Sequence, residues 1–454
     1  MTPVARAAYG LYAAALVLMS APQLGALRGL GPAIQLGDLV FAAAAAVWFV
    51  ALLRRDVAVP RAAVWIAVAG YFAAGVLSLV ATPSLRGSTV KLLGVAYLVT
   101  IMVMTASFGS AAGGWRRVLV PWVVAAGVTG ALGVVSAVLF YADVRDPASN
   151  PFLWGYGSVP VGNYPRIAVF FANANMLASY LVVGAGAAGA LLPFVHGRAR
   201  VATIAAAAAI GVASVFTLSA GVGGLAIAVA VTFIAVRRRA GRAVAWQSLV
   251  AATGAAGAAL LLAFLSVVLM VPKGQGQVTF GPVDLDFSAS GRVSNWRGAI
   301  DTVRAHPLVG KGIGTLVAPT ANPRAFHSME EWGTAAMRTD TAAHPMEAHN
   351  VWLNVAGQLG LPGFVAMVAL VVLLARGLWP PSGTDDPLAR ARIAVAATLV
   401  GAFLYHGLFA AVEDARQIWY LFGLCVAAKA QADHQAEEAH AALPRVASRP
   451  QVPQ

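Results

Sequence analysis

Charge is scarce in this chain. Only 11% of its 454 residues are Asp, Glu, Lys or Arg, against 59% hydrophobic residues and a mean hydropathy of +0.75. Soluble domains carry roughly 25% charged residues, so a water-exposed globular fold is excluded and the bilayer must be the main solvent. Cysteine is rarer still, with Cys425 the only one. It lies in a late apolar segment, so no outward loop can hold an internal disulfide, and nothing indicates redox chemistry. A cleavage signature is missing as well. The first apolar stretch, Ala7 to Leu24, follows Arg6, but no small-residue site leads from it into a soluble mature chain, so it reads as a first span.

What is abundant is apolar sequence in runs of the roughly 20 residues that a spanning helix needs. Spans are expected near 7 to 25, 33 to 53, 62 to 81, 90 to 108, 118 to 141, 166 to 194, 201 to 219, 221 to 236, 247 to 271, 351 to 375, 393 to 412 and 417 to 430. Helices satisfy their own backbone hydrogen bonds, which lipid requires. The expected fold is an all-α polytopic membrane protein of about 12 transmembrane helices, with a large, partly helical extracytoplasmic loop between spans nine and ten.

The formal charge of +13 follows the same topology. With the N-terminus inside, eighteen basic residues fall on the inner side, among them Arg54, Arg55, Arg61, Arg116, Arg117, Arg198, Arg200 and the run Arg237 to Arg239. Six inner acids oppose them, which leaves +12 of the +13 on that side. This is the positive-inside bias and calls for no polyanionic partner; nucleic acid is not expected. Both termini are then cytoplasmic.

Two outer segments break the rhythm. Residues 142 to 165 form a modest loop rich in Pro, Gly and aromatics, and residues 272 to 350 form a far longer one, too long to be structureless in a compact protein. Within it, Trp296, Ala299, Ile300 and Val303 recur at helical spacing. Ser288 or Ser290 can cap that helix and Pro307 ends it. Gly310, Gly312 and Gly314 then force a turn-rich passage. The chain divides into spans one to nine (1–271), the outer loop as the seat of chemistry (272–350), spans ten to twelve (351–430) and a disordered cytoplasmic tail (431–454).

Several side chains could carry chemistry. Arg166 opens the sixth span, with Asn173 and Asn175 two turns deeper. Polar groups at that depth are costly unless they pair or line a cavity. They read either as an interfacial anchor with packing amides or as donors for an anionic headgroup, to which an arginine fork is suited. Arg292 follows Gly291 at the start of the loop helix, where free amides favour phosphate; a surface charge is the other reading. His349 falls where the loop re-enters the membrane, and a histidine there is either a general base or a satisfied interfacial side chain. His306, His327 and His344 share the loop at spacings that match no common ligand motif. Asp284 and Asp286 have the form of the acid pair with which sugar-nucleotide enzymes hold a divalent ion, but in a Pro/Gly/Ser-rich stretch they read as solvated.

The order of the motifs adds to this. Arg166-Ile-Ala-Val-Phe-Phe-Ala-Asn-Ala-Asn, then Ser290-Gly-Arg-Val-Ser-Asn-Trp-Arg-Gly-Ala, then His306-Pro-Leu-Val-Gly-Lys-Gly-Ile-Gly314, then Ala348-His-Asn-Val-Trp-Leu and Gln358-Leu-Gly-Leu-Pro-Gly363 together resemble the O-antigen ligase and O-antigen polymerase family over residues 160 to 375. The resemblance implies a GT-C-type membrane glycosyltransferase. Its donor would be a polyprenyl-diphosphate-linked glycan, its acceptor a glycan or lipid hydroxyl, and it would work on the outer face of the bacterial cytoplasmic membrane, inverting the anomeric centre without metal or cofactor. Carried over, Arg292 would hold the diphosphate and His349 would activate the acceptor. Arg166 would assist, Arg338 is a second candidate cation, and Asn173, Asn175, Trp296 and Asn350 would line the substrate site.

One departure stands out. The family often has Ser-Arg-Gly at the outer junction of the seventh and eighth spans, where this chain has Ser219-Ala220-Gly221. Another cation must replace that arginine, or the chemistry is altered or lost. Four lysines against 27 arginines suggest a GC-rich bacterial genome, where envelope polysaccharides other than O-antigen are made. A secondary transporter and a non-catalytic envelope-assembly protein are the rival readings. Transporters of this size usually join two halves by a long inner loop, whereas here only His196 to Arg200 separate spans six and seven.

Overall fold

A computed structural model describes residues 1–22, 35–144, 149–150, 152–153, 166–171, 173–219, 221–239, 241, 277–280, 283–286, 292–315, 318–319, 345–346, 348–381, 385–409 and 415–442. Eight helices precede the long loop: α1 (Pro3–Leu18), α2 (Leu36–Leu53), α3 (Val64–Ser78), α4 (Leu85–Ser110), α5 (Gly114–Tyr141), α6 (Ala174–Leu191), α7 (Gly197–Phe216) and α8 (Gly221–Arg239). The loop contributes strands β1 (Gln277–Phe280) and β2 (Val283–Asp286), helix α9 (Arg292–Ala305) and strands β3 (Ala318–Pro319) and β4 (Pro345–Met346). Helices α10 (Val351–Ala375), α11 (Pro387–Phe409) and α12 (Arg416–Ala442) complete the chain. Among the described residues, nine helices are long and apolar enough to cross a membrane. The expected ninth span, 247 to 271, and the caps Ser288 and Ser290 lie outside the described residues, as do Arg338, His327 and His344.

Without a hydrophobic force between helices in lipid, packing relies on small residues that let backbones approach. The glycines follow that rule. A Cβ on Gly224 of α8 would lie 2.5 Å from the Gly401 carbonyl oxygen of α11, and one on Gly130 of α5 would lie 2.9 Å from the Ala209 carbonyl carbon of α7. Helix α6 packs against α5, α7, α8 and α11. Helix α3 pairs with α10 and α4 with α12.

Three features correct or refine the sequence expectation. First, the sixth span does not begin at Arg166. Residues 166–171 are extended and turn-like. Ile167 N–H donates to the Phe216 carbonyl (3.1 Å), and Ala168 and Val169 N–H both donate to Phe152 (2.8 and 3.0 Å). Only at Asn173 does a helix start, its side chain capping the Met176 N–H. Second, the long loop, expected to be partly helical, also holds short strands. β1 pairs antiparallel with β2, and β3 with β4. Third, α12 continues to Ala442, well into the region expected to be a disordered tail. Its last turns carry Lys429–Asp433 and His434–Glu438 pairs at i,i+4, which support an exposed helix modestly. Spans seven and eight are two separate helices, divided at Thr217–Ser219.

Candidate functional site

The site is built on a broken helix. In α10, Gly360 has φ 66° and ψ −167°, followed by Pro362; that backbone region is essentially closed to residues with a side chain. A break inside a membrane helix leaves carbonyls unpaired, and lipid cannot satisfy them. Here the glycine-rich passage of the long loop does so. Lys311 N–H donates to the Gly357 carbonyl (2.8 Å), Gly312 N–H to Gln358 (3.1 Å), and Leu361 N–H reaches back to the Pro307 carbonyl (2.8 Å). The Gln358 side chain accepts from Gly314 N–H at 2.8 Å. On its other side the passage meets the end of α3 and the start of α4. Ile313 N–H donates to Ser78 Oγ (3.0 Å), and Ser88 Oγ–H donates to the Ile313 carbonyl (2.5 Å). His306-to-Gly314 and Gln358-to-Gly363 are therefore two halves of one lock.

That lock holds the loop helix over the start of α10. Ala299 of α9 and Ala348 are both fully buried and form a small apolar cluster with Leu353. Arg292 is the first residue of α9, two turns from Ala299, or about 10 Å along the helix axis. Trp296 lies between them; its indole N–H is buried and meets no acceptor among the described residues. His349 follows Ala348 directly and takes φ 49°, in the left-handed region, a conformation that costs about 1–2 kcal/mol in a residue with a Cβ. Asn350 follows it. Its buried side-chain oxygen accepts from Trp352 N–H (3.0 Å) and Leu353 N–H (3.1 Å), capping α10.

Arg166 is seated elsewhere on the same end of the bundle. Its Nε–H donates to the Thr217 carbonyl (3.2 Å) and its NH2 group to Asn175 Oδ1 (3.1 Å). The guanidinium thus lies at the α7–α8 junction, beside the stretch where sequence comparison finds no arginine. Strain marks this region too, with Val169 at φ 52° and Leu218 at φ 49°. Asn173 and Asn350 both have their side-chain oxygens committed to helix caps, a use that the expected substrate-lining role did not foresee.

Helix α11 joins the two areas, through residues that the sequence reading did not single out. The Tyr405 hydroxyl donates to the Asn175 carbonyl (3.3 Å) and accepts from Ser219 Oγ–H (3.3 Å), so it braces both elements that receive Arg166. Next to it, buried His406 shares a hydrogen bond with Ser179 Oγ (2.7 Å), which also accepts from Gln417 (2.8 Å). One residue on, a Cβ at Gly407 would lie 2.8 Å from Trp352 Nε1 in the first turn of α10. Tyr405, His406 and Gly407 sit in an apolar run, with partners more than 50 residues away in sequence, so no local pattern reveals them. Among the described residues, no group of three His, Cys, Asp or Glu side chains converges as a metal site would.

A family model described as O-antigen ligase matches residues 167–368, starting one residue after Arg166 and ending within α10. No curated protein matches the chain. The match contains the locked loop, the loop helix, the His349 turn and the α7–α8 junction, and the helices around it are those of a polytopic membrane protein. Residues 167–368 of this bacterial membrane protein belong to the O-antigen ligase/polymerase family.

Proposed function

We propose that the chain transfers a glycan from a polyprenyl-diphosphate-linked donor to an acceptor hydroxyl at the outer face of the cytoplasmic membrane, with inversion and without metal or cofactor. The acceptor oxygen attacks the anomeric carbon, the bond from that carbon to the diphosphate breaks, and polyprenyl diphosphate departs with the electron pair. His349 takes the acceptor proton, as a positioned base can. Arg292 and Arg166 stabilise the negative charge that grows on the leaving diphosphate, with Arg338 as a further cation. The diphosphate is already a good leaving group, so no general acid is needed.

The observation that supports this reading is the contact of Ala299, on the helix that Arg292 begins, with Ala348, the residue before the strained His349. The seat of Arg166 on the Thr217 carbonyl supports it as the substitute for the arginine absent from Ser219-Ala220-Gly221. Ligation and polymerisation would use the same groups and differ in the acceptor. The test is glycan transfer by the purified full-length protein in detergent with EDTA present, comparing wild type with His349→Ala and Arg292→Ala. Wild-type transfer with both variants reduced about a hundredfold or more, as loss of a general base entails, upholds the proposal. An inactive wild type across a range of acceptors, or variants equal to it, sinks it in favour of a transporter or an assembly partner.

A further inference from the structure

A second site lies at the opposite, arginine-rich end of the bundle. There a cavity of about 160 Å³ opens between the start of α3, the end of α10 and the middle of α12. Arg61, Arg376 and Lys429 stand around it, over a floor that includes Leu374, Cys425 and Val426. Lys429 is engaged by Asp433 at 2.8 Å. Arg61 and Arg376 make no ion pair among the described residues. Two guanidinium groups without an ion pair among the described residues therefore flank a cavity whose floor is apolar and whose wall also carries the Lys429–Asp433 pair. Ile66 of α3 and Val372 of α10, about one turn deeper, are exposed on the outside of the bundle.

We infer that this cavity binds the phosphate of an anionic phospholipid from the cytoplasmic leaflet. Guanidinium forks match phosphate oxygens in pairs, and basic pockets between helices on the cytoplasmic side are suited to anionic headgroups. The volume corresponds to roughly five waters, enough for a phosphate and part of its glycerol but not for acyl chains, which leave along Ile66 and Val372 into the bilayer. A free phosphate would gain the same arginine contacts, yet it would have nothing to place on the apolar floor.

The experiment uses full-length, delipidated protein in detergent, and reads thermal unfolding as phosphatidylglycerol, phosphatidylcholine or inorganic phosphate is titrated. A ligand that binds only the folded state raises the midpoint with its concentration. Phosphatidylglycerol is expected to raise it; phosphatidylcholine and inorganic phosphate are not. Arg61→Gln with Arg376→Gln weakens the phosphatidylglycerol response at least about tenfold, the scale of losing charge-assisted contacts. Arg116→Gln with Arg198→Gln, which removes equal charge from the same face away from the cavity, leaves it unchanged. If the glutamine pair does not fold, Arg61→Lys with Arg376→Lys carries the test and weakens binding by a smaller factor. Equal weakening in the Arg116/Arg198 control would reduce the effect to general surface charge. An equal response to phosphatidylcholine, an equal response to inorganic phosphate, or unchanged binding in the arginine variants would each overturn the inference.

Discussion

Replacing Gly360 with alanine tests the lock between the loop and the broken helix. The added Cβ would lie 2.5 Å from both the carbonyl carbon and the oxygen of Leu308, and 2.8 Å from the Gly310 nitrogen. Those are backbone atoms, so no side chain can swing aside, and the 307–310 segment must retreat by about 1 Å to reach normal contact. A move of that size breaks bonds that now measure 2.8 to 3.1 Å, from Lys311 and Gly312 to α10 and from Leu361 to Pro307. Two or three such bonds are worth about 1 kcal/mol each, and the backbone at φ 66°, ψ −167° adds about 1–3 kcal/mol of strain for a residue other than glycine. The loop should therefore be released by about 3–6 kcal/mol. Lys311 is a built-in reporter, because trypsin can cut there only when the passage leaves its seat. At about 1.4 kcal/mol per tenfold, cleavage through the open form should quicken by at least about a hundredfold. The assay is limited trypsinolysis of the protein in liposomes, scored for the cut at Lys311. Gly94→Ala, where an added Cβ meets nothing within 4 Å, is the control and should match wild type. Gly360→Ala cleaved at the wild-type rate would show that the lock does not hold the loop.

Asn350→Ala should remove the cap of α10 and cost about 1 kcal/mol, lowering the thermal midpoint and the transfer rate together, while Asn350→Asp keeps both. Tyr405→Phe deletes the hydroxyl that braces Asn175 and Ser219. It should cost about 1 kcal/mol of stability and raise the KM for the diphosphate donor with little change in kcat; an unchanged KM would show that the phenol does not position Arg166. Arg416→Gln should cost about 1–3 kcal/mol, because Asp38, 18% exposed, loses a 2.8 Å ion pair and keeps two neutral donors, the Tyr97 hydroxyl (2.8 Å) and the Gln35 N–H (3.0 Å). Adding Asp38→Asn should recover part of that loss in a double-mutant cycle on thermal stability, and strict additivity would refute the coupling.

Much of the helical framework was legible because lipid imposes length and apolarity on each span. Every span placement except 247 to 271 overlaps a helix among the described residues, and nine of those helices are long and apolar enough to cross a membrane. What escaped follows from how hydropathy is read. The run Ile167-Ala-Val-Phe-Phe171 is apolar enough to extend a span, yet its amides are taken by Phe152 and Phe216, and hydropathy does not register a hydrogen-bond partner. Asn173 and Asn175 were visible as polar groups in an apolar run. That one caps the helix and the other receives Arg166 depends on the chain path. The end of α12 was misjudged on composition, although Ala, Gln and Glu are good helix formers and a span already nucleated propagates at low cost. The pairings that organise the site join Arg166 to Thr217, Asn175 to Tyr405 and Ser179 to His406. None of these has a local period, so one sequence alone cannot show them.

Backbone strain gathers in the segments that carry the candidate site, although it is not confined to them. Val169, Leu218 and His349 take left-handed backbone conformations, as do Asp143 and, after α2, Arg55, each at about 1–2 kcal/mol; the first three, with the break at Gly360, lie in the segments that carry the candidate site. A bundle that needed only to cross the membrane could join its helices with relaxed turns on both sides. Around the candidate site, irregular segments are instead held by a dense set of hydrogen bonds, from the N–H groups of residues 167–169 to the Phe216 and Phe152 carbonyls and between the loop passage and α10. Strain persists only where its surroundings over-determine the conformation. The surroundings here are supplied by four segments far apart in sequence, and they converge on the turn that carries His349 and the junction that seats Arg166. Motifs that are individually weak, such as a few glycines or one Ala-His-Asn triplet, are informative together for this reason: each supplies the partner that another segment needs in order to remain irregular.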